Sequence, residues 1–98
     1  MKATALVSRR VVLAPDAFAD IVIWALPTPI PGSRHLFKYR LAYVVGGDCV
    51  LRYDNESGKG DHRHHGKSQS TYTFVDPDKL MADFLADVER WNRENGRT

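Results

Sequence analysis

The densest group of residues able to do chemistry lies between positions 59 and 66. These eight positions hold two basic side chains, three histidines, two glycines and one aspartate: Lys59, Gly60, Asp61, His62, Arg63, His64, His65 and Gly66. Histidine titrates close to neutral pH when unperturbed, so it can serve as a proton donor or a proton acceptor. The segment is therefore a candidate site for acid–base chemistry.

One interpretation of this segment is metal-independent cleavage of a phosphodiester bond. That reaction needs a base for the attacking 2′-hydroxyl, an acid for the leaving 5′-oxygen and cations for the charged intermediate. His62 and His64 are the expected base and acid, in either order, and Asp54 or Asp61 is expected to orient one of them. The predicted catalytic residues are His62, His64, Asp61 and Lys59, and the predicted RNA- or phosphate-binding residues are Arg40, Arg52, Arg63, Lys38, Asp54 and Tyr53.

Two alternatives to this interpretation stay open. The first is a metal-dependent nuclease in which Asp61, His62 and His64 hold the ion, although the neighbouring cations oppose it and the spacing is not that of a zinc motif. The second is a non-enzymatic module in which the basic 52–67 segment binds nucleic acid or an acidic protein. The sequence predicts no metal and no cofactor, and it gives His65 no role.

The elements that must position these residues are strands followed by one helix. Alternating apolar residues and turn signals predict strands at about 3–14, 18–26, 35–46, 48–54 and 71–75. Residues 55–70 have no aliphatic side chain and are predicted to form a polar loop. A helix is predicted over about 76–94, with Asp76 as N-cap and Pro77 in the first turn. The expected fold is α+β, one domain over 1–98, with an antiparallel meander of four to five strands and a C-terminal helix on one face.

Two periodic patterns say which side chains share a face. A two-residue turn after residue 45 would pair Leu41 with Arg52, whereas an odd-length loop pairs Leu41 with Tyr53. The odd-length loop is expected, because it keeps apolar residues together and puts Arg40, Arg52 and Asp54 on one face of the sheet. In the helix, one apolar stripe is expected to form the core, and the remaining positions to face solvent. The stripe is Leu80, Met81, Phe84, Leu85, Val88 and Trp91, and the outward positions are Asp83, Asp87 and Arg90.

Composition narrows the class of protein. The chain has 98 residues, 43% of them hydrophobic and 27% charged, with a formal net charge of +2, which is typical of a small globular domain. A single cysteine, Cys49, excludes an internal disulfide, and no apolar run reaches the length of a membrane span. The N-terminal residues lack the apolar core of a signal peptide, so a reduced, cytoplasmic location is expected.

Charge is distributed unevenly along the chain. Residues 34–67 hold seven basic and four acidic side chains, whereas residues 76–94 hold three basic and six acidic ones. A basic middle segment is typical of a surface that binds anions, and it is equally compatible with two solvated faces of opposite sign. The motifs for Walker loops, dinucleotide binding and zinc proteases are absent from the sequence.

The order of three motifs resembles that of a known family. The motifs are His35-Leu36-Phe37-Lys38-Tyr39-Arg40-Leu41-Ala42-Tyr43, Arg52-Tyr53-Asp54-Asn55 and Gly58-Lys59-Gly60-Asp61-His62-Arg63-His64. Together with the N-terminal hairpin and the C-terminal helix, they resemble the TumE family, small bacterial toxins of type II toxin–antitoxin pairs. The resemblance implies a cytoplasmic toxin held by a neighbouring antitoxin, one expected to carry a DNA-binding domain. The expectation of an RNA substrate and translation inhibition comes from the polar segment and from the way many small toxins act.

Overall fold

The protein folds as one antiparallel sheet with a single helix over the part of the chain described, residues 2–97 of a computed structural model. The six strands lie in the sheet in chain order, which makes the fold an α+β meander. The strands are β1 (Thr4–Ala14), β2 (Ala17–Ala25), β3 (Phe37–Val45), β4 (Asp48–Asp54), β5 (His62–His65) and β6 (Ser68–Thr71), and the helix is α1 (Pro77–Glu94).

The register of β3 and β4 confirms the expected faces. Leu41 lies opposite Tyr53, and Arg40 lies opposite Asp54. The turn itself has two residues, Gly46 and Gly47, both with positive φ, as glycine allows. A register shift just beyond the turn adds one residue to β4. This β-bulge restores the parity that an odd-length loop would give.

Helix α1 covers one face of the sheet, here called the helix face. The side chain of Asp76 caps the helix by accepting from the Lys79 amide at 2.7 Å, as predicted. Leu80, Phe84 and Val88 are buried against the sheet. Asp87, expected to face solvent, is also buried, because it bonds to side chains that β4 and β5 present to the helix.

The segment predicted as a polar loop contains a third hairpin. Residues 62–65 and 68–71 pair as β5 and β6, and β5 also pairs with β4. The strand predicted at 71–75 is wrong, since only Thr71 of that range lies in a strand. The prediction failed because β5 and β6 contain no aliphatic residue. Their pairing rests on backbone hydrogen bonds to neighbouring strands, whereas Tyr72 and Phe74, beyond the end of β6, pack against the core.

The opposite face of the sheet, here called the open face, carries no helix among residues 2–97. Because side chains alternate along a strand, the open face takes one half of each strand. From β3, β4 and β5 it receives Lys38, Arg40, Arg52, Asp54, His62 and His64. No helix of residues 2–97 is both long and apolar enough to cross a membrane.

Candidate active site

Strand register alone brings four polar residues together on the open face. Asp54 lies directly opposite His62, and Arg52 lies directly opposite His64. Positions two apart on one strand share a face, so the two pairs form a square across β4 and β5. Asp54 and His62 are buried, while Arg52 and His64 are partly exposed. The square is a rigid polar site with an accessible edge.

The carboxylate of Asp54 is the centre of the site. Its Oδ1 lies 2.7 Å from His62 Nε2 and 4.0 Å from His64 Nε2, and its Oδ2 lies 3.0 Å from Arg52 Nε. The close contacts are ion-pair distances without hydrogen-bond alignment, which leaves Asp54 Oδ1 and Arg52 Nε buried and without a hydrogen-bond partner among residues 2–97. Buried polar groups are rarely left so, and the exceptions concentrate at functional sites.

Both ring nitrogens of His62 have a close neighbour. Its Nδ1 lies 3.0 Å from the carbonyl oxygen of Gly60, which only accepts, so Nδ1 carries a hydrogen. Its Nε2 faces the carboxylate of Asp54 at 2.7 Å. The ring is therefore held at Nδ1 by a backbone carbonyl and lies against the carboxylate at Nε2.

The hydrogen bonds of His64 favour the neutral form. Its Nε2 lies 3.0 Å from Nη2 of Arg52, and a guanidinium only donates, so Nε2 presents its lone pair. Burial, followed by the charge of Arg52, lowers the pKa of His64 below its ordinary value. The two imidazole rings lie 5.0 Å apart. The two rings thus face different partners, since Nε2 of His62 lies beside a carboxylate and Nε2 of His64 beside a guanidinium.

The same three residues can also hold a metal ion. Asp54, His62 and His64 each offer one ligand atom, and these atoms lie within 4.8 Å of one another. The bond from His62 Nδ1 to a backbone carbonyl is typical of a metal-ligating histidine. The guanidinium of Arg52 opposes a cation at this point. The predicted ligand Asp61 is not in the cluster, and Asp54 takes its place.

Arg63 and Tyr53, predicted to bind RNA, lie on the helix face. Tyr53 is completely buried, so it offers no surface for a base. Its hydroxyl donates to the carboxylate of Asp87, and burial followed by this bond raises the pKa of Tyr53 to about 12. Arg63 Nη1 and His65 Nε2 approach the same carboxylate at 3.6 and 3.4 Å. These side chains fix β5 to the helix.

Asp61 and Lys59, predicted to be catalytic, are also separated from the histidine pair. Asp61 Oδ2 accepts from Tyr39 Oη at 2.7 Å and contacts His35 Nε2 at 2.8 Å. Lys59 is exposed and pairs with Glu56 at 3.3 Å. Gly60 lies between Lys59 and Asp61 in the chain, and its carbonyl oxygen accepts from His62 Nδ1. This hydrogen bond connects their segment to the site.

Lys38 and Arg40 lie on the open face as the register requires, and both are exposed. Among residues 2–97 neither side chain forms an ion pair. In contrast, Arg10 on β1 is paired with Asp20 at 2.7 Å. The free cations of this face therefore lie on β3, next to Asp54.

Sequence reasoning missed two further residues near the site. Trp24 lies opposite Lys38 on the open face and is 36% exposed. Asn55 is buried, and its amide group accepts from the Tyr39 amide at 2.9 Å and donates to the Phe37 carbonyl at 2.7 Å. Asn55 thereby ties the end of β4 to β3. Asn55 could have been identified from its position directly after a strand. Trp24 could have been identified from strand alternation, since the even-numbered residues of β2 share one face.

The fold and site define a small helix-backed sheet whose uncovered face carries paired histidines, a carboxylate and arginine. The family described as Toxin TumE matches residues 2–92. The chain therefore belongs to the TumE toxin family, as the three motifs had indicated. Comparison with curated proteins found no match, and comparison with solved structures found none either. A cognate antitoxin is the partner that membership of a toxin family indicates.

Proposed function

We propose that this toxin is a metal-independent endoribonuclease that inhibits translation, with its active site on the open face. The observation that carries the proposal is that two adjacent histidines around one buried carboxylate have different partners. His64 Nε2 presents its lone pair to Arg52, which suits a base, and His62 Nε2 lies beside the carboxylate of Asp54, which suits an acid. Cleavage beside a 2′-hydroxyl needs one group of each kind.

In the proposed first half of the reaction, His64 is the base. A phosphate that enters the site draws the guanidinium of Arg52 onto a non-bridging oxygen, because a bidentate arginine–phosphate pair is a strong interaction. This frees Nε2 of His64 to take the proton of the 2′-hydroxyl. The 2′-oxygen then attacks phosphorus.

His62 is the acid in the second half. As the bond from phosphorus to the 5′-oxygen breaks, Nε2 of His62 gives its proton to that oxygen. The products are a 2′,3′-cyclic phosphate and a 5′-hydroxyl end. Asp54 holds His62 in place and stabilises its charged form before the reaction. Arg52 neutralises the charge that develops on the phosphoryl oxygens.

The exposed cations of β3 give the RNA a path to this site. Lys38 and Arg40 follow each other along the open face, and Arg40 lies opposite Asp54. Trp24 lies opposite Lys38 and can stack on a base, which is a sequence-tolerant interaction. RNA bound along β3 would bring one phosphate to Arg52.

The deciding experiment compares histidines on the two faces of one strand. Purified wild-type protein, His64→Ala and His65→Ala are incubated with total RNA in EDTA, and the ends of the products are analysed. We expect cleavage by the wild type and His65→Ala, with cyclic phosphate ends, and none by His64→Ala. Equal cleavage by all three would refute the role of His64, and cleavage by none would refute metal-free cleavage of free RNA.

A metal-dependent nuclease is the second candidate, favoured by the convergence of ligand atoms from Asp54, His62 and His64. In that case the ion would supply the charge stabilisation and activate the nucleophile. The same assay distinguishes the two functions. Activity that disappears in EDTA and returns with one divalent ion would support the second candidate.

We also propose that the cognate antitoxin carries a DNA-binding domain. The proposal rests on the family alone, and the antitoxin would neutralise the toxin by covering or distorting the open face. The purified pair is tested for a shift of DNA from upstream of its own genes. Binding by the pair but not by the free toxin is expected, and no shift by the pair would contradict it.

A further inference from the structure

A cleft separate from the histidine pair lies at the end of the sheet where β4 and β5 are joined. It has a volume of about 390 Å³ and is formed by three segments that the fold brings together. Its lining includes Arg34, Lys59, Gly60, Asp61, Thr71 and Phe74. Two cations, one carboxylate and an aromatic side chain around one cleft form the set of groups that a nucleotide needs.

The carboxylate of Asp61 is fixed within this cleft. Its Oδ2 contacts His35 Nε2 at 2.8 Å and accepts from Tyr39 Oη at 2.7 Å. His35 Nδ1 accepts from the amide of Phe37 at 3.1 Å, so Nε2 carries the hydrogen and His35 serves as a neutral donor. Two donors thus orient the carboxylate without neutralising it.

The other oxygen of Asp61 is left for a ligand. Oδ1 makes no hydrogen bond to residues 2–97, and the side chain remains 15% exposed. An oriented carboxylate oxygen accepts hydrogen bonds only. A base that presents adjacent N–H groups is therefore its best partner.

Guanine is the RNA base that fits this requirement. Its Watson–Crick edge presents N1–H and the N2 amino group side by side, whereas uracil presents one N–H between two carbonyl oxygens. The carbonyl oxygens would be repelled by a carboxylate that already has its own donors. Tyr72 and Phe74 line the cleft, and bases pack on aromatic rings in many RNA-binding sites.

The cations suit the phosphate of the same nucleotide. Arg34 is exposed at the cleft, and Lys59 is exposed and pairs with the exposed Glu56. The backbones of Gly32 and Gly58 approach closely, since the Gly58 amide donates to the Pro31 carbonyl at 2.6 Å and a Cβ on Gly32 would lie 3.2 Å from Gly58 Cα. This contact holds the segment with Arg34 against the segment with Lys59.

We propose that this cleft is a guanine-nucleotide subsite in which Asp61 reads the base and Arg34 with Lys59 binds its phosphate. The subsite adjoins the histidine pair. Thr71, in its lining, lies opposite His62 on the sheet, and the Gly60 carbonyl bonds to His62. Its role in selecting the cleaved RNA sequence rests on the proposed function, but its affinity for guanine does not.

The test measures binding of nucleotides that contain no bond to cleave. Guanosine, adenosine, cytidine and uridine 5′-monophosphates are titrated into the wild-type protein, with affinity from calorimetry and location from amide chemical shifts. We expect guanosine monophosphate to bind at least about tenfold more tightly than uridine monophosphate, since a hydrogen bond to a charged group is lost with uracil. The largest shifts are expected at Gly60, Asp61 and Thr71.

Two variants separate the base from the phosphate. Asp61→Asn should abolish the preference for guanine, while the exposed control Asp48→Asn keeps it. Arg34→Ala should weaken all four nucleotides about equally and keep their order. Should Asp61→Asn fail to fold by circular dichroism, the preference of the wild type, the shift map and Arg34→Ala decide.

Three results would overturn the subsite. They are equal affinity for guanosine and uridine monophosphates, a preference that survives in folded Asp61→Asn, and shifts confined to other parts of the molecule. Failure of the ribonuclease assay would leave each of these measurements intact. The two proposals can therefore fail independently.

Discussion

Two buried carboxylates lie on opposite faces of the β4–β5 hairpin, and their surroundings differ. On the helix face, Asp87 accepts from the hydroxyl of Tyr53 and from Arg90 Nη2 at 2.5 Å, with Arg63 and His65 nearby. On the open face, Asp54 has Arg52 close to Oδ2 and two histidines close to Oδ1, but Oδ1 has no aligned hydrogen bond among residues 2–97.

The difference separates a structural role from a chemical one. Aligned hydrogen bonds offset the desolvation cost of a buried charge. Substitution of such a residue is destabilising, because removing one partner leaves another unpaired. A buried charge with cations and no aligned bonds keeps its bonding capacity for a ligand or a transition state. One strand, β5, serves both faces, since His62 and His64 point one way and Arg63 and His65 the other.

The largest expected effect compares the two carboxylates in catalysis. Asp54→Asn should lower kcat/KM for RNA in EDTA by about 10²- to 10⁴-fold, the range for loss of a positioned acid–base group. The reason is that an amide does not stabilise the imidazolium of His62. Asp87→Asn should lower it less than about tenfold, provided the protein is assayed well below its melting temperature. An Asp54→Asn protein with wild-type activity would remove Asp54 from the mechanism.

Stability should show the reverse order. Asp87→Asn is expected to reduce the free energy of unfolding by about 3 kcal/mol, because it breaks a buried charge network. Asp54→Asn should cost about 1 kcal/mol or less, since few aligned hydrogen bonds are lost. Urea unfolding followed by circular dichroism measures both, with Asp48→Asn as an exposed control. Equal losses of unfolding free energy at Asp54 and Asp87 would mean that the two carboxylates do not differ in their structural role.

The sequence predicted one half of this comparison better than the other. Alternating apolar residues in β3 and β4 fixed the parity that puts Arg40, Arg52 and Asp54 on one face, and the structure confirms it. The polar strands β5 and β6 gave no such alternation, so the faces of Arg63 and His65 were not predicted. The burial of Asp87 depends on residues from β4 and β5, which helical periodicity cannot register.

A smaller effect is expected in the pH profile. His64 must be neutral to act as base, and burial and Arg52 hold its pKa below 6.5. Activity should therefore persist below pH 6.5 and fall as pH drops through the lowered pKa. The unfolded chain takes up this proton first, so His64 should also make stability fall as the pH drops below about 6.5.

The variant Arg52→Gln sharpens this prediction. Removing the guanidinium removes the second cause of the lowered pKa, so the acidic limb of kcat/KM should move upward, the direction in which the charge of Asp54 also acts. The variant will also be slower, since phosphate loses its arginine. Profiles of kcat/KM from pH 4.5 to 8 for both proteins provide the measurement. A wild-type limb above pH 6.5 would contradict the assignment of His64 as base.

The smallest expected effect concerns the cations of the open face. In a His64→Ala background that binds RNA without cleaving it, Lys38→Ala should weaken binding a few-fold and reduce the slope of log affinity against log salt by about one. The matched control is Lys79→Ala, which removes a lysine of α1 that pairs with Asp83 at 2.7 Å. If both variants change the slope equally, RNA does not discriminate between the faces, and the open face is not its specific binding surface.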